Sequence, residues 1–155
     1  MNTSAGKVPQ ARFIDDYLLY LLARASHAIS AEFHEQLRRR GVSVPVWRVL
    51  ASLVGGDGET VTGLAAVCLL QQPTMTKLLD RMVRDGLVQR AQDAQDRRVV
   101  RIRLTSRGED MVANLLEVAR QHEAEVLARH DLVDGDPLKE LLRGLIARHA
   151  RHRRG

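Results

Sequence analysis

The sequence predicts a mainly helical protein that carries one small β-hairpin, in the order four helices, hairpin and two helices. Over most of its 155 residues, apolar side chains recur every three or four positions, which is typical of amphipathic helices. Strict alternation occurs at Val100, Ile102 and Leu104, which is typical of a half-buried strand. The chain is 45% hydrophobic and 28% charged. This composition is that of a folded domain and excludes an intrinsically disordered chain.

The first helix is predicted to be unusually long. An unbroken apolar stripe extends from Ile14 to Leu37, and Gly41 follows arginines that suit the negative end of a helix dipole. A helix over residues 13–40 would be ~40 Å long. Because the other elements of the chain are short, we expect this helix to protrude or to pack on a second subunit.

Three shorter helices are predicted next. Ser43 and Pro45 open the first of them, because serine can cap the free N–H groups and proline fits the first turn. Thr62 is expected to cap the second helix. Pro73 is expected to begin the third helix, and Gly86 to end it.

A hairpin and two further helices complete the chain. Val88 leads into the first strand, and the second strand ends before Thr105, which is expected to cap a long helix. Asp136 is expected to begin a last helix. The predicted segments are a flexible tail (1–11), an N-terminal helix (12–42), a central domain of helices and hairpin (43–105), and C-terminal helices with a basic tail (106–155).

A helix-turn-helix is predicted where residues 69–73 join two helices by a tight turn. The second helix of this pair begins with polar residues, while its leucines and methionines share the opposite side. Glutamine suits adenine edges, and lysine suits guanine or phosphate. The sequence therefore predicts a DNA-binding surface whose candidate residues are Gln71, Gln72, Thr74, Thr76 and Lys77.

The hairpin is the second predicted DNA contact. The formal charge of +5 favours a polyanionic partner, and six arginines against two acids lie between Arg90 and Arg107. Arg97 and Arg98 at the tip are expected to reach a narrow minor groove, where the negative potential is strongest. Asp96 is expected to hold an adjacent guanidinium by a bidentate pair.

Arg101 and Arg103, further along the hairpin, are interpreted differently. They alternate with the apolar residues of the second strand, so we expect them to form a solvated strand face. The predicted DNA contact of the hairpin is therefore confined to its tip.

Several classes of protein are disfavoured. Cys68 is the single cysteine, which excludes an internal disulfide, and its apolar neighbours predict a buried, inert thiol. No apolar run approaches the ~20 residues that span a bilayer, and residues 1–10 lack the core of a secretory signal. We therefore expect a cytoplasmic protein. Without a phosphate loop, a nucleophile elbow or histidines at zinc-site spacing, we expect no enzyme and no bound metal or cofactor.

The hairpin and its exit carry a family resemblance. Asp96-Arg97-Arg98, five further residues, and then Leu104-Thr105-Ser106-Arg107-Gly108 form the pattern D-x-R…L-T-x-x-G directly after the helix-turn-helix. This arrangement resembles the winged helix-turn-helix of the MarR family of bacterial transcriptional regulators. With the flanking long helices, the resemblance covers about residues 12–150.

The resemblance implies a homodimer whose first and last helices interlock, so that segments 12–42 and 106–155 would be dimerisation helices. It implies binding to a pseudo-palindromic double-stranded DNA operator, usually as a repressor that a small anionic aromatic effector releases. Carried over by position, Gln72, Thr74, Thr76 and Lys77 would face the major groove, Arg98 would enter the minor groove with Asp96 as its orienter, and Arg81 and Arg84 would contact phosphates or intramolecular partners.

An effector pocket is one interpretation of a polar side of the first helix. Tyr20, Arg24 and His27 fall on this side, and Arg24 or His27 could pair with a carboxylate while Trp47 supplies a wall. The alternative is a polar dimer surface or a solvated face.

Two other functional classes stay open from the sequence. One is a ligand-independent architectural DNA-binding protein, and the other is a helical protein–protein adaptor. An operator affinity that changes with a small molecule would distinguish a regulator from the first, and a salt-sensitive operator footprint would exclude the second.

Overall fold

The computed structural model of the protein describes residues 12–130 and 135–152. Its elements are the helices α1 (Phe13–Asp16), α2 (Leu18–Arg39), α3 (Val44–Leu53), α4 (Val61–Val67) and α5 (Gln72–Arg84), the strands β1 (Val88–Gln92) and β2 (Val100–Leu104), and the helices α6 (Ser106–Arg129) and α7 (Asp136–His152). The predicted fold class is confirmed. The predicted tail 1–11 and the end of the basic tail, 153–155, lie outside the described residues. None of the described helices is long and apolar enough to cross a membrane.

The chain divides into two compact units, Met1–Val42 and Ser43–Gly155. In the first unit, the prediction of one continuous helix is wrong, because Tyr17 has an extended backbone (φ −77°, ψ 113°) that separates α1 from α2. Aspartate is a weak helix former that is favoured near a helix N-terminus. Asp15 and Asp16 lie directly before Tyr17, so they favour a new helix start there over continuation. The functional role of each segment stays a prediction.

In the second unit, helices α3, α4, α5 and α6 pack with the hairpin around one apolar core. Its fully buried side chains include Val49, Leu50, Leu64, Met75, Leu79, Met82, Val88 and Ile102. The spacing of these residues along each helix is that of a single inward stripe.

The predicted cap of α4 is wrong by two residues. Thr60, not Thr62, is the N-cap, and its Oγ1 accepts a hydrogen bond from the backbone N–H of Gly63 at 3.0 Å. The preceding Glu59 is paired with Ile102 of β2, so the helix begins where the chain leaves this pairing. The predicted caps of α3 and α6 are confirmed at Ser43 and Thr105.

The turn between α4 and α5 contains a strained residue. Leu69 has a left-handed backbone with φ 58° and is the one non-glycine residue with positive φ among those described. This conformation costs an L-amino acid roughly 1–2 kcal/mol. The Leu69 side chain is 79% exposed, so little packing offsets that cost.

We expect Leu69→Gly to raise the free energy of unfolding by up to about 1 kcal/mol, because glycine relieves the left-handed strain and loses only part of that gain to chain entropy. Urea denaturation followed by circular dichroism measures the change. Val67→Gly is the control, since Val67 is also exposed, at 63%, but lies within α4 and should lower stability. A Leu69→Gly protein less stable than the wild type would contradict the prediction.

The hairpin is antiparallel, with Val88 opposite Leu104 and Gln92 opposite Val100. A further segment lies beside β2, where Glu59 and Ile102 exchange backbone hydrogen bonds of 3.0 Å and 2.8 Å. The loop that precedes Glu59 therefore covers part of the second strand.

The expectation that Arg101 and Arg103 form a solvated face is wrong. Arg101 donates to the carbonyl of Gly58 at 3.2 Å and forms an ion pair with Asp93. Arg103 is half-buried and lies against Gly58, where an added Cβ would come within 2.7 Å of Arg103 Cγ. Alternation along the strand puts both arginines on one face, and the loop before Glu59 covers part of that face, so both side chains are half-buried.

The start of α6 is fixed against the end of α5. The Thr105 hydroxyl donates to the carbonyl of Gly86 at 2.5 Å and accepts from the N–H of Gly108 at 3.1 Å. A Cβ on Gly108 would lie 2.1 Å from the carbonyl oxygen of Leu87. The threonine and the glycine of the L-T-x-x-G pattern therefore have a structural role, because they permit this close approach.

Candidate nucleic-acid interface

Helix α5 has one apolar side and two polar flanks. Its buried side consists of Met75, Leu78, Leu79 and Met82. At 3.6 residues per turn, the remaining positions form one flank of Thr74, Lys77, Arg81 and Arg84 and another of Gln72, Thr76 and Asp80. The first flank carries three basic residues and borders a groove. The second flank carries one acidic residue, which contacts the hairpin.

The first flank is cationic and borders a groove. The groove has a volume of about 300 Å³ and is lined by α5 together with Pro45 and Leu70. Lys77 and Arg81 are exposed, and no residue of the described ranges pairs with their charged groups. Unpaired cations beside a groove on a helix surface are suited to phosphate oxygens.

The second flank and the N-cap of α5 carry three of the predicted DNA-contacting residues, Gln71, Gln72 and Thr76. Gln71 is the N-cap of α5, but its side chain does not cap the helix, and both Gln71 and Gln72 are exposed. Thr76 is half-buried, and its hydroxyl donates to the carbonyl of Gln72 at 3.0 Å. The glutamine amides can therefore donate and accept toward a base edge, whereas Thr76 is restricted to accepting.

An ion pair joins this second flank to the hairpin. Arg90 of β1 donates to Oδ1 of Asp80 at 2.7 Å. The two side chains are 41% and 57% exposed, so the pair adds little to stability. The pair connects β1 of the hairpin with the later half of α5.

The hairpin loop is organised around Asp93. One carboxylate oxygen accepts hydrogen bonds from the N–H groups of Gln95 (2.8 Å) and Asp96 (2.9 Å), and the other pairs with Arg101. A short acidic side chain that accepts backbone N–H groups two and three residues ahead is a common turn device. It fixes the path of the loop that leads to the tip.

The predicted bidentate pair of Asp96 with the Arg98 guanidinium is wrong. Asp96 Oδ1 instead accepts a hydrogen bond from the backbone N–H of Arg98 at 3.0 Å. A short acidic side chain readily bonds to the backbone N–H two residues ahead, which competes with the more distant guanidinium. Arg97 and Arg98 are exposed, and their guanidinium groups have no partner within residues 12–130 and 135–152. Their positive charge is thus free to meet an external anion.

The Arg101 guanidinium and the two backbone N–H groups hold the pKa of Asp93 at about 2. A carboxyl group whose pKa is lower in the folded state stabilises the fold above its unfolded value and loses this contribution as pH falls through the folded value. Asp93 should therefore stabilise the hairpin above about pH 4 and cease to do so near pH 2.

We expect Asp93→Asn to be less stable than the wild type at neutral pH, with the difference disappearing as pH falls to about 2. Thermal unfolding measured across this range tests it. As a second readout, the carboxyl carbon of Asp93, followed by NMR, should titrate at higher pH in Arg101→Gln. An unchanged Asp93 pKa in that variant would exclude Arg101 as the cause.

The four residues that were predicted to form an effector pocket lie in both units. In the first unit, Arg24 donates to the hydroxyl of Tyr20 at 3.0 Å and lies 5.7 Å from its ring centroid, and His27 is exposed. Trp47 lies half-buried on α3 in the second unit. A pocket formed by these four residues stays a prediction.

Cys68 is fully buried, as the sequence predicts. Burial raises the pKa of its thiol, which disfavours the reactive thiolate. In the part of the chain that the structure describes, no three His, Cys, Asp or Glu side chains are grouped as metal ligands.

Four residues that form ion pairs beside the candidate interface were not predicted from the sequence: Asp80, Arg90, Asp93 and Arg101. The one available signal was the placement of Asp93 at the end of the first strand, where an acid often fixes a turn. The partners of Asp80 and Arg101 depend on chain segments that meet only in the folded protein.

Comparisons with known proteins agree with this arrangement. A profile of the MarR family matches residues 40–99. A solved MarR family transcriptional regulator from Silicibacter pomeroyi DSS-3 is 42% identical and superposes with a TM-score of 0.79 over 88% of this chain and 98% of its own.

Two curated relatives extend the comparison. The homoprotocatechuate degradative operon repressor of Escherichia coli is 30% identical over 117 residues, 73% of this chain and 79% of that protein. The transcriptional repressor IacR of Pseudomonas putida is 30% identical over 107 residues, 69% of this chain and 64% of that protein.

Proposed function

This chain belongs to the MarR family of transcriptional regulators, and from that premise we propose that it is a cytoplasmic repressor released from its operator by a small aromatic acid. The proposed repressor acts as a homodimer on a pseudo-palindromic operator. The start of α5 enters the major groove of each half-site, and the hairpin tip reaches the adjacent minor groove.

The observation that carries the DNA-binding proposal is the placement of unpaired cations. Lys77 and Arg81 line the exposed flank of α5, and Arg97 and Arg98 are exposed at the hairpin tip. Water solvates these exposed cations in the isolated protein, so they can approach phosphates and a narrow minor groove without breaking an internal ion pair.

Exposed apolar residues support the dimer. Leu18 and Leu19 of α2 are each 60% exposed, and Leu141 and Ile146 of α7 are 56% and 70% exposed. Exposed apolar side chains on a helix are typical of a protein interface. In the proposal, the same helices of a second copy cover these residues, and the two α5 helices bind successive major grooves, which lie about 34 Å apart on DNA.

The proposed effector class has support from a relative. The E. coli relative is named as a repressor of homoprotocatechuate degradation, and homoprotocatechuate is itself an aromatic acid. We propose both the repressing role and an aromatic acid effector for this chain.

DNase footprinting on the DNA upstream of the gene and its neighbours tests the proposal. We expect a protected pseudo-palindrome, binding by a dimer in analytical ultracentrifugation, and an affinity that falls steeply with salt. An aromatic acid should weaken binding. Operator binding that no aromatic acid changes would instead indicate a ligand-independent DNA-binding protein, and the absence of a salt-sensitive footprint would overturn DNA recognition itself.

A further inference from the structure

The turn between α4 and α5 has a backbone conformation that glycine normally adopts. The N–H of Leu69 donates to the carbonyl of Ala66 at 3.3 Å, and the N–H of Leu70 donates to the carbonyl of Ala65 at 2.9 Å. These two hydrogen bonds form a Schellman motif, in which the first residue after the helix cap is left-handed and is usually glycine. In this chain that position holds a leucine, with φ 58°.

The Leu69 side chain lies outside the apolar core of the second unit. It is 79% exposed, whereas Leu64 of the preceding helix is fully buried. The next residue, Leu70, is half-buried and supplies the apolar contact that usually accompanies this motif. Glycine at position 69 would therefore suit the fold better than leucine does. A strained residue that packing does not require points to a functional role.

The surroundings of Leu69 are those of a DNA-binding surface. Leu69 lies two residues before Gln71, the N-cap of α5, and the side chains of Gln71 and Gln72 are exposed. Lys77 and Arg81, further along α5, are exposed cations. Amides suit base edges and cations suit phosphates. The exposed leucine is therefore continuous with a surface whose charge is complementary to DNA.

Thymine offers the group that an apolar side chain can recognise on DNA. The base edges in the major groove present hydrogen-bond donors and acceptors, together with the C5-methyl group of thymine. A leucine side chain can neither donate nor accept a hydrogen bond. Its contact with the methyl group removes apolar surface of both partners from water, which is favourable.

We propose that Leu69 contacts the C5-methyl group of one thymine in each operator half-site and makes recognition depend on that methyl group. This inference rests on the proposed function, because it adds a specificity-determining residue to the same DNA-binding surface. The glutamine amides of α5 recognise hydrogen-bonding groups, and Leu69 recognises a neighbouring apolar group that they do not bind. The left-handed turn is the feature that directs this side chain away from the core.

Replacing thymine with deoxyuridine tests the contact, because it removes only the C5-methyl group. Fluorescence anisotropy is measured with the full-length protein and duplexes of the footprinted operator, in which each thymine is replaced in turn in both half-sites. We expect one position at which deoxyuridine weakens wild-type binding about fourfold per half-site, the value of one buried methyl or methylene group. The absence of any sensitive thymine would overturn the proposal.

Leu69→Ala is the first test variant, because alanine keeps a Cβ in the left-handed conformation and removes only the end of the side chain. It should bind the thymine operator at least about fourfold more weakly per half-site and no longer discriminate thymine from deoxyuridine at the sensitive position. Val54→Ala is the control. Val54 is 42% exposed but borders the hairpin and α6, so this variant should keep both the affinity and the discrimination.

Leu69→Gly supplies a readout that a purely structural role would not change. We expect it to be more stable than the wild type and yet to bind the operator as weakly as Leu69→Ala. Full operator affinity in Leu69→Ala would overturn the contact. So would discrimination against deoxyuridine that persists in this variant at every thymine, or a loss of affinity in Leu69→Gly alone, which would indicate an effect of the backbone.

The same titrations separate this inference from the proposed function. If the wild type binds a specific operator and Leu69→Ala retains the discrimination, the thymine contact fails and the repressor function stands. If the wild type binds no specific operator, the proposed function fails and the contact fails with it.

Discussion

Replacing Arg98 with alanine is expected to weaken operator binding about tenfold or more, or about 1.4 kcal/mol. The Arg98 guanidinium is exposed at the hairpin tip and has no partner among the described residues. Its insertion into a narrow minor groove would therefore break no existing ion pair or hydrogen bond of the guanidinium. The backbone N–H of Arg98 is held by Asp96, so the loss would come from the missing side chain and not from a displaced loop.

Fluorescence anisotropy with the footprinted operator, over a series of salt concentrations, measures this loss. Arg120→Ala removes the same charge from an exposed site on α6, where Arg120 lies 3.8 Å from Glu117, and it should leave operator affinity nearly unchanged. If Arg98→Ala bound the operator as tightly as Arg120→Ala at matched salt, the hairpin tip would have no role in recognition.

Replacing Gly108 with alanine is expected to lower the free energy of unfolding by about 2 kcal/mol or more, although alanine is the better helix former. The new Cβ would lie 2.1 Å from the carbonyl oxygen of Leu87. Backbone atoms cannot move aside as a flexible side chain can, so α6 would have to shift away from the end of α5. That shift would also lengthen the hydrogen bond from the Thr105 hydroxyl to the carbonyl of Gly86.

Gly144→Ala is the matched control for this substitution. Gly144 also lies within a helix, but a Cβ there would meet only the guanidinium end of Arg148, at 3.1 Å. Because that side chain can rotate away, the variant should gain up to about 1 kcal/mol from helix propensity. Chemical denaturation of both variants measures the contrast, and a Gly108→Ala protein as stable as the wild type would be incompatible with the close packing at Leu87.

The sequence by itself determined most of the elements and the residue types of the candidate interface. The spacing of apolar residues follows the local geometry of a helix or a strand. It therefore predicted α3, α5 and the hairpin, and it predicted that the polar start of α5 faces outward. The D-x-R…L-T-x-x-G pattern identified the exposed tip arginines and the helix cap at Thr105, because caps and turns are formed by residues close in the chain.

Only the tertiary structure decided how those elements are held. Alternation put Arg101 and Arg103 on one face of β2, but the loop before Glu59 covers part of that face. The ion pair between Asp80 and Arg90 depends in the same way on two elements meeting. The reason is physical: local propensity fixes which way a side chain points along its own element, while its solvent exposure and partners are set by segments that arrive from elsewhere in the chain.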